Sequence, residues 1–171
     1  LYSAINSAQP GDTIVLNEGV YQLTSTLVID KNNITIRGAS NDRSKVVLVG
    51  DGFKGDNYLG PDQGFLIGHA ENVTIANLTM RDFSVHGISV QGHQGPHNLH
   101  VYNVAFIDIG QRSIKVNAND TAPPVENGIV EYCYFEQISE IEKGRDDGFD
   151  GDYVAGIDAH HTKNWIIRDN V

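Results

Sequence analysis

Apolar residues recur along this chain in strict alternation, which is the period of strands and not of helices. Four stretches, "GFLIG" from Gly64, "GISVQ" from Gly87, "SIKVN" from Ser113 and "GIDAH" from Gly156, each place two apolar side chains on one face. Those pairs are Phe65/Ile67, Ile88/Val90, Ile114/Val116 and Ile157/Ala159. A second apolar strand follows each, opened by an asparagine: Asn72, Asn98, Asn127 and Asn164, with an earlier copy, "NITIRG", at Asn33. Three positions beyond Met80, Phe106 and Phe135 a further apolar residue recurs, as Phe83, Ile109 and Ile138.

The unit is therefore strand, turn, strand, turn, strand, repeated at irregular spacings of a few tens of residues. A unit this short cannot bury its apolar face alone, so neighbouring units must stack and share a core. The expected architecture is all-β: a single parallel β-helix domain over residues 1–171, in which the paired residues form aliphatic ladders. Variable unit length argues against a propeller. At the start, Leu1, Ile5 and Ala8 stand at helical spacing before Pro10-Gly11-Asp12 breaks the pattern. That predicts a short helix capping the first coil. Opening in a helix and stopping in a strand, the sequence reads as a fragment lacking C-terminal coils.

The recurrent asparagines suit a turn, because Asn tolerates left-handed backbone, and stacked copies predict an amide ladder. Asn33, Asn72, Asn77 and Asn119 also open Asn-X-Thr triplets. Three of the four lie within the strand pattern, which favours the structural reading over glycosylation.

Composition agrees with short strands and tight turns: 18 of 171 residues are glycine. The 22 acidic and 12 basic residues give a formal charge of −10, which disfavours nucleic acid and anionic lipid as partners. An acidic polysaccharide would need a cation or a local basic patch to bind. The single Cys133 excludes an internal disulfide, and no apolar run reaches membrane-spanning length.

If the ladder residues face inward, the residues between them face out. One outward column reads Leu66, Ser89, Lys115, Asp158, and the next Gly68, Gln91, Asn117, His160. With adjacent strands about 4.8 Å apart, Lys115 should neighbour Asp158, and Asn117 should neighbour His160. The turn before the last of these strands is longer than its counterparts: 18 positions separate Ile138 from Gly156, against 4 between Phe83 and Gly87. The excursion carries Glu140, Glu142, Asp146, Asp147, Asp150 and Asp152 among glycines. Asp146, Asp147, Asp150 and Asp152 are candidate ligands for Ca²⁺, although their spacing is not that of an EF-hand. The rival reading is a solvated acidic loop. His86, His93, His97 and His100 lack the spacing of a zinc site and read as turn histidines.

The stretches "LYSAINSAQPGDTIVLNEGVY" and "LVIDKNNITIRGAS" resemble the N-terminal cap and first coils of right-handed parallel β-helix proteins of the pectate lyase-like superfamily. Locally, "AGIDAH" resembles the Tyr-Gly-Phe-Asp-Pro-His motif of the mannuronan C5-epimerases. That resemblance puts Asp158 and His160 on the family's catalytic Asp and His, and Lys115 on its catalytic lysine. Ala155 stands where the family has its catalytic Tyr, Ala159 replaces the Pro, and His161 replaces an acidic residue. The fragments "RDDG" and "RSIK" resemble polygalacturonase motifs, but out of order.

These residue types suit chemistry at C5 of a uronate. The substrate carboxylate must be neutralised, a base must take the C5 proton, and an acid must return a proton. Lys115, Asp158 and His160 are the expected catalytic residues, with Gln91, Asn117, Arg112 and His161 as sugar contacts. The expected function is a polysaccharide lyase or C5-epimerase on an acidic polysaccharide, secreted, periplasmic or at the cell surface. Two alternatives stand beside it: a non-catalytic glycan-binding or structural β-helix, and a glycoside hydrolase, which would need a spaced carboxylate pair.

Overall fold

The computed structural model describes residues 1–52, 59–118, 121–140 and 154–171. A short helix, α1 (Tyr2–Ser7), precedes β1 (Thr13–Leu16), β2 (Gly19–Gln22), β3 (Leu27–Ile29), β4 (Thr35–Gly38) and β5 (Val46–Val49). There follow β6 (Gln63–Ile67), β7 (Thr74–Arg81), β8 (His86–Gln91), β9 (His100–Ile107) and β10 (Arg112–Asn117). The rest are β11 (Val125–Glu126), β12 (Ile129–Glu131), β13 (Tyr134–Glu136), β14 (Ala155–Ala159), β15 (Thr162–Lys163) and β16 (Ile166–Arg168). Besides α1, the described helix is two single turns of 3₁₀, Arg43–Lys45 and Gly92–Gln94.

The protein is thus all-β, and the pairings between these strands are parallel. One sheet runs β1-β4-β7-β9-β12-β16, with β2, β5 and β13 beside that path. A second runs β3-β6-β8-β10-β14, and β11 pairs with β15. From β6 to β10 the chain crosses from one large sheet to the other at each strand, so a strand's partner is met one full pass later. Parallel neighbours require such crossovers, because a hairpin cannot supply them.

The ladders expected from alternation are present. Phe65 pairs with Ile88, Ile88 with Ile114 and Ile114 with Ile157. Ile67, Val90, Val116 and Ala159 form the parallel row, and Leu27 and Ile29 extend both rows by one strand. Ile36, Ile75, Val101 and Val130 supply the facing row from the other sheet, all fully buried. Each such side chain contributes roughly 1.5–3 kcal/mol over its exposed state. Ile5 and Ala8 of the helical segment join this core. Phe83 and Ile109 are buried as expected, but Ile138 is 66% exposed. Its backbone N–H and that of Ser139 are taken by the Asp108 carboxylate, which turns the chain there.

The asparagine ladder is continuous. Asn33, Asn72, Asn98, Asn127 and Asn164 all adopt left-handed backbone, with φ between 56° and 60°. Asn72, Asn98, Asn127 and Asn164 each donate Nδ2–H to the Oδ1 of the preceding asparagine, at 2.8, 2.7, 3.1 and 3.3 Å. Asn77 also spends its Nδ2–H inside the fold, on Asn41 Oδ1. Glycosylation at Asn72 or Asn77 would take the nitrogen that makes these bonds. Asn119 lies outside the described residues.

Strict alternation fails at one place in β6 and at one place in β8. A Cβ on Gly64 would lie 2.2 Å from Met80 Cε, and one on Gly87 would lie 2.8 Å from Phe106 Cδ1. Both glycines therefore face the core, as do the next residues, Phe65 and Ile88. With two successive residues facing inward, the preceding position (Gln63 or His86) falls on the outer face. Glycine is required where the core comes this close.

Candidate functional site

Lys115 on β10 and Asp158 on β14 are register partners, as are Ile114 and Ile157 beneath them. The inward aliphatic pair fixes the outward polar pair, because a slip of one residue would bury Lys115 in the core. Asp158 Oδ2 accepts from Lys115 Nζ at 2.7 Å and from Arg112 Nε at 3.0 Å. Asp158 Oδ1 lies 2.9 Å from His160 Nε2. One carboxylate therefore joins an ammonium, a guanidinium and an imidazole. Arg112, the register partner of His86, reaches it from the same side of the sheet.

The cluster is graded in depth. The Lys115 side chain is 7% exposed, whereas that of His160 is 60% exposed. Outward-facing Ser89 and Lys115 are expected to be exposed, and Arg112 to contact sugar; the structure corrects the exposure, since all three are buried. Long side chains on closely spaced strands cover one another, so facing away from the core does not amount to exposure. Asp158 thus holds two buried cations in a chain whose formal charge is −10.

The remaining expected contacts divide. Asn117 pairs with Gln91 across β10 and β8, and is exposed. The His160 N–H bonds the Val116 carbonyl at 3.2 Å, which places His160 beside Asn117. Gln91 Nε2 donates to Ser89 Oγ at 3.2 Å. His161 is set in the turn after β14 with φ 49°, and its carbonyl accepts from the Val125 N–H. That bond ties it to β11. The Ca²⁺ candidates Asp146, Asp147, Asp150 and Asp152 lie outside the described residues. Among the described residues no group of three or more His, Cys, Asp and Glu could hold a metal ion.

One member of this face was not legible as such. His86, which the sequence reading set aside as a turn histidine, is the register partner of Arg112 on one side and of Gln63 on the other. It is 8% exposed. Burial, then the Lys115 charge and the Arg112 charge, push its imidazolium down to about 4, against the Arg112 and Val85 carbonyls, which favour it. The ring is neutral at neutral pH.

No protein-family model matches the sequence, and no curated protein matches it. Solved structures similar to the chain include two alginate lyases. One is an alginate lyase from Paenibacillus sp. str. FPU-7, 17% identical, with 99% of this chain and 72% of that one covered, at a TM-score of 0.48. The other is the alginate lyase AlyF-OU02 in complex with G6, 14% identical, with 78% of this chain and 32% of that one covered, at a TM-score of 0.49.

Proposed function

We propose that this chain is a right-handed parallel β-helix whose β3-β6-β8-β10-β14 face acts at C5 of a uronate in an acidic polysaccharide, as a lyase or C5-epimerase outside the cell. The observation that carries the reading is the Asp158 carboxylate bonded at once by Lys115, Arg112 and His160. The β-helix reading rests on the parallel pairing of successive passes, and right-handed crossovers are the rule for parallel strands.

The cluster meets the needs of C5 chemistry in turn. Arg112 and Lys115 bind the uronate carboxylate and stabilise the charge that spreads onto it as the C5–H bond breaks. Asp158 orients the imidazole of His160 through Nε2, which leaves Nδ1 to accept the C5 proton. In the lyase the C5 electron pair forms the C4–C5 double bond, the C4–O bond breaks, and the departing oxygen takes a proton from Lys115 or His160. In the epimerase the proton returns to the opposite face of C5 and no bond to oxygen breaks. A glycoside hydrolase reading has less support, because it needs two carboxylates flanking the bond, and Asp158, the carboxylate of this cluster among the described residues, is committed to two cations. Ca²⁺ on the acidic segment would add charge neutralisation.

Proton NMR of the full-length protein with alginate and with pectate, with and without Ca²⁺, tests this reading. Alkene signals identify a lyase, and C5 inversion without chain cleavage identifies an epimerase. Spectra that never change on either polymer overturn it.

A further inference from the structure

Next to the Lys115–Asp158 cluster, two polar atoms are buried without a hydrogen-bond partner among the described residues: Gln63 Oε1 and His86 Nδ1. They belong to adjacent residues of one row, since Gln63 pairs with His86 and His86 with Arg112. The row faces the same side as Arg112, whose guanidinium reaches Asp158. An unpartnered buried acceptor costs about 1–3 kcal/mol. On two paired residues one strand beyond a charged cluster, such atoms call for a partner that the described residues do not supply.

The neutral His86 ring can both donate and accept, and the Gln63 amide can do the same. Neither brings a charge, so together they suit a hydroxyl and not a carboxylate. We propose that Gln63 and His86 form an adjoining sugar subsite, which binds a ring hydroxyl of the unit next to the one whose carboxylate sits at Arg112 and Lys115. This rests on the uronate reading above and extends it by one unit along the sheet, from β10 towards β6. Rotation of the Gln63 amide and of the His86 ring about their terminal bonds presents the two buried atoms to the sugar. The unliganded protein carries the cost of leaving them unpaired, and the bound sugar relieves it.

The test is the affinity of mannuronate, guluronate and galacturonate trimers for the intact protein, for Gln63→Leu and for Lys115→Met, measured by calorimetry with a thermal melt of each. Gln63→Leu removes an orphan acceptor at similar volume. The expected result is a melting temperature held or raised together with about tenfold weaker binding. A residue with only a structural role would lower the melting temperature and leave binding alone. In ¹⁵N-histidine spectra the trimer shifts the ring nitrogens of His86, identified by their loss in His86→Gln. If Lys115→Met abolishes binding while Gln63→Leu binds as wild type and the His86 signal stays still, the subsite is overturned and the uronate site stands. If no trimer binds the wild type, both readings fall.

Discussion

Lys115 and Asp158 are 43 positions apart in the sequence, yet their Cα atoms are paired across β10 and β14 and their side chains meet at 2.7 Å. The contact is set by the ladder pair Ile114–Ile157 below it. The candidate site is thus a consequence of core register.

Asp158→Ala removes the carboxylate shared by two buried cations, and is expected to cost about 3 kcal/mol, the low end for a buried pair because Asp158 is partly exposed. The double variant Lys115→Met/Asp158→Leu replaces the pair by apolar groups of similar reach and is expected to regain most of that loss. Urea unfolding of the three proteins checks both values. Any uronate activity should be absent from both variants, so stability and chemistry separate.

The amide ladder gives a second test. Asn98 sits mid-ladder at φ 57°, donating to Asn72 and accepting from Asn127. Asn98→Ala loses both bonds and forces a Cβ residue without a polar tip into left-handed backbone, for an expected loss of about 2–3 kcal/mol. Asn98→Gly keeps the backbone conformation and should lose about 1 kcal/mol less. Equal losses in the two variants would mean that the φ angle contributes nothing.

Stability should depend on pH through His86. Its folded value, about 4, lies below the ordinary 6.5, so on acidification the unfolded chain takes the proton first. Stability is therefore full above about 6.5, falls between 6.5 and 4, and levels off below, by at most on the order of 3 kcal/mol. Glu131, held below the usual range by Arg168 and by His100, loses its contribution only at more acidic pH, as its carboxylate protonates. Urea midpoints between pH 4.5 and 7 should slope in the wild type and flatten in His86→Gln. The same slope in both proteins would assign the effect elsewhere.

Gly87 marks the place where alternation slips. A Cβ there would meet the Ser113 carbonyl at 2.7 Å and the Phe106 ring at 2.8 Å. Gly87→Ala is expected to cost about 1–3 kcal/mol through overpacking, and to disturb the directions of His86 and Arg112. A melting temperature within 1 °C or so of wild type, where about 1 kcal/mol moves it several degrees, would contradict the close approach.

The same slip explains what the sequence could and could not reveal. Ile88, Val90, Ile114 and Val116 announce their face because apolar residues alternate there, and Lys115 and Asp158 follow from them. The asparagines announce a turn because few other residues accept left-handed backbone. His86 and Gln63 gave no such sign: by simple alternation they share the face of Ile88 and Phe65, and only the tight glycine beside each turns them outward. Likewise the burial of Lys115 depends on side chains from neighbouring strands, which spacing along one strand does not encode.

The most direct measurement is the initial rate on alginate and on pectate of the wild-type protein and of Asp158→Asn, followed by proton NMR with folding checked by circular dichroism. Asn keeps the size of the side chain but removes the charge that holds Lys115, Arg112 and His160 together. The account predicts that wild type yields alkene or inverted C5 signals on a uronate polymer and that Asp158→Asn, still folded, is slower by at least about 100-fold. A folded Asp158→Asn variant that turns over at the wild-type rate, or a wild type inert on both polymers, would contradict it.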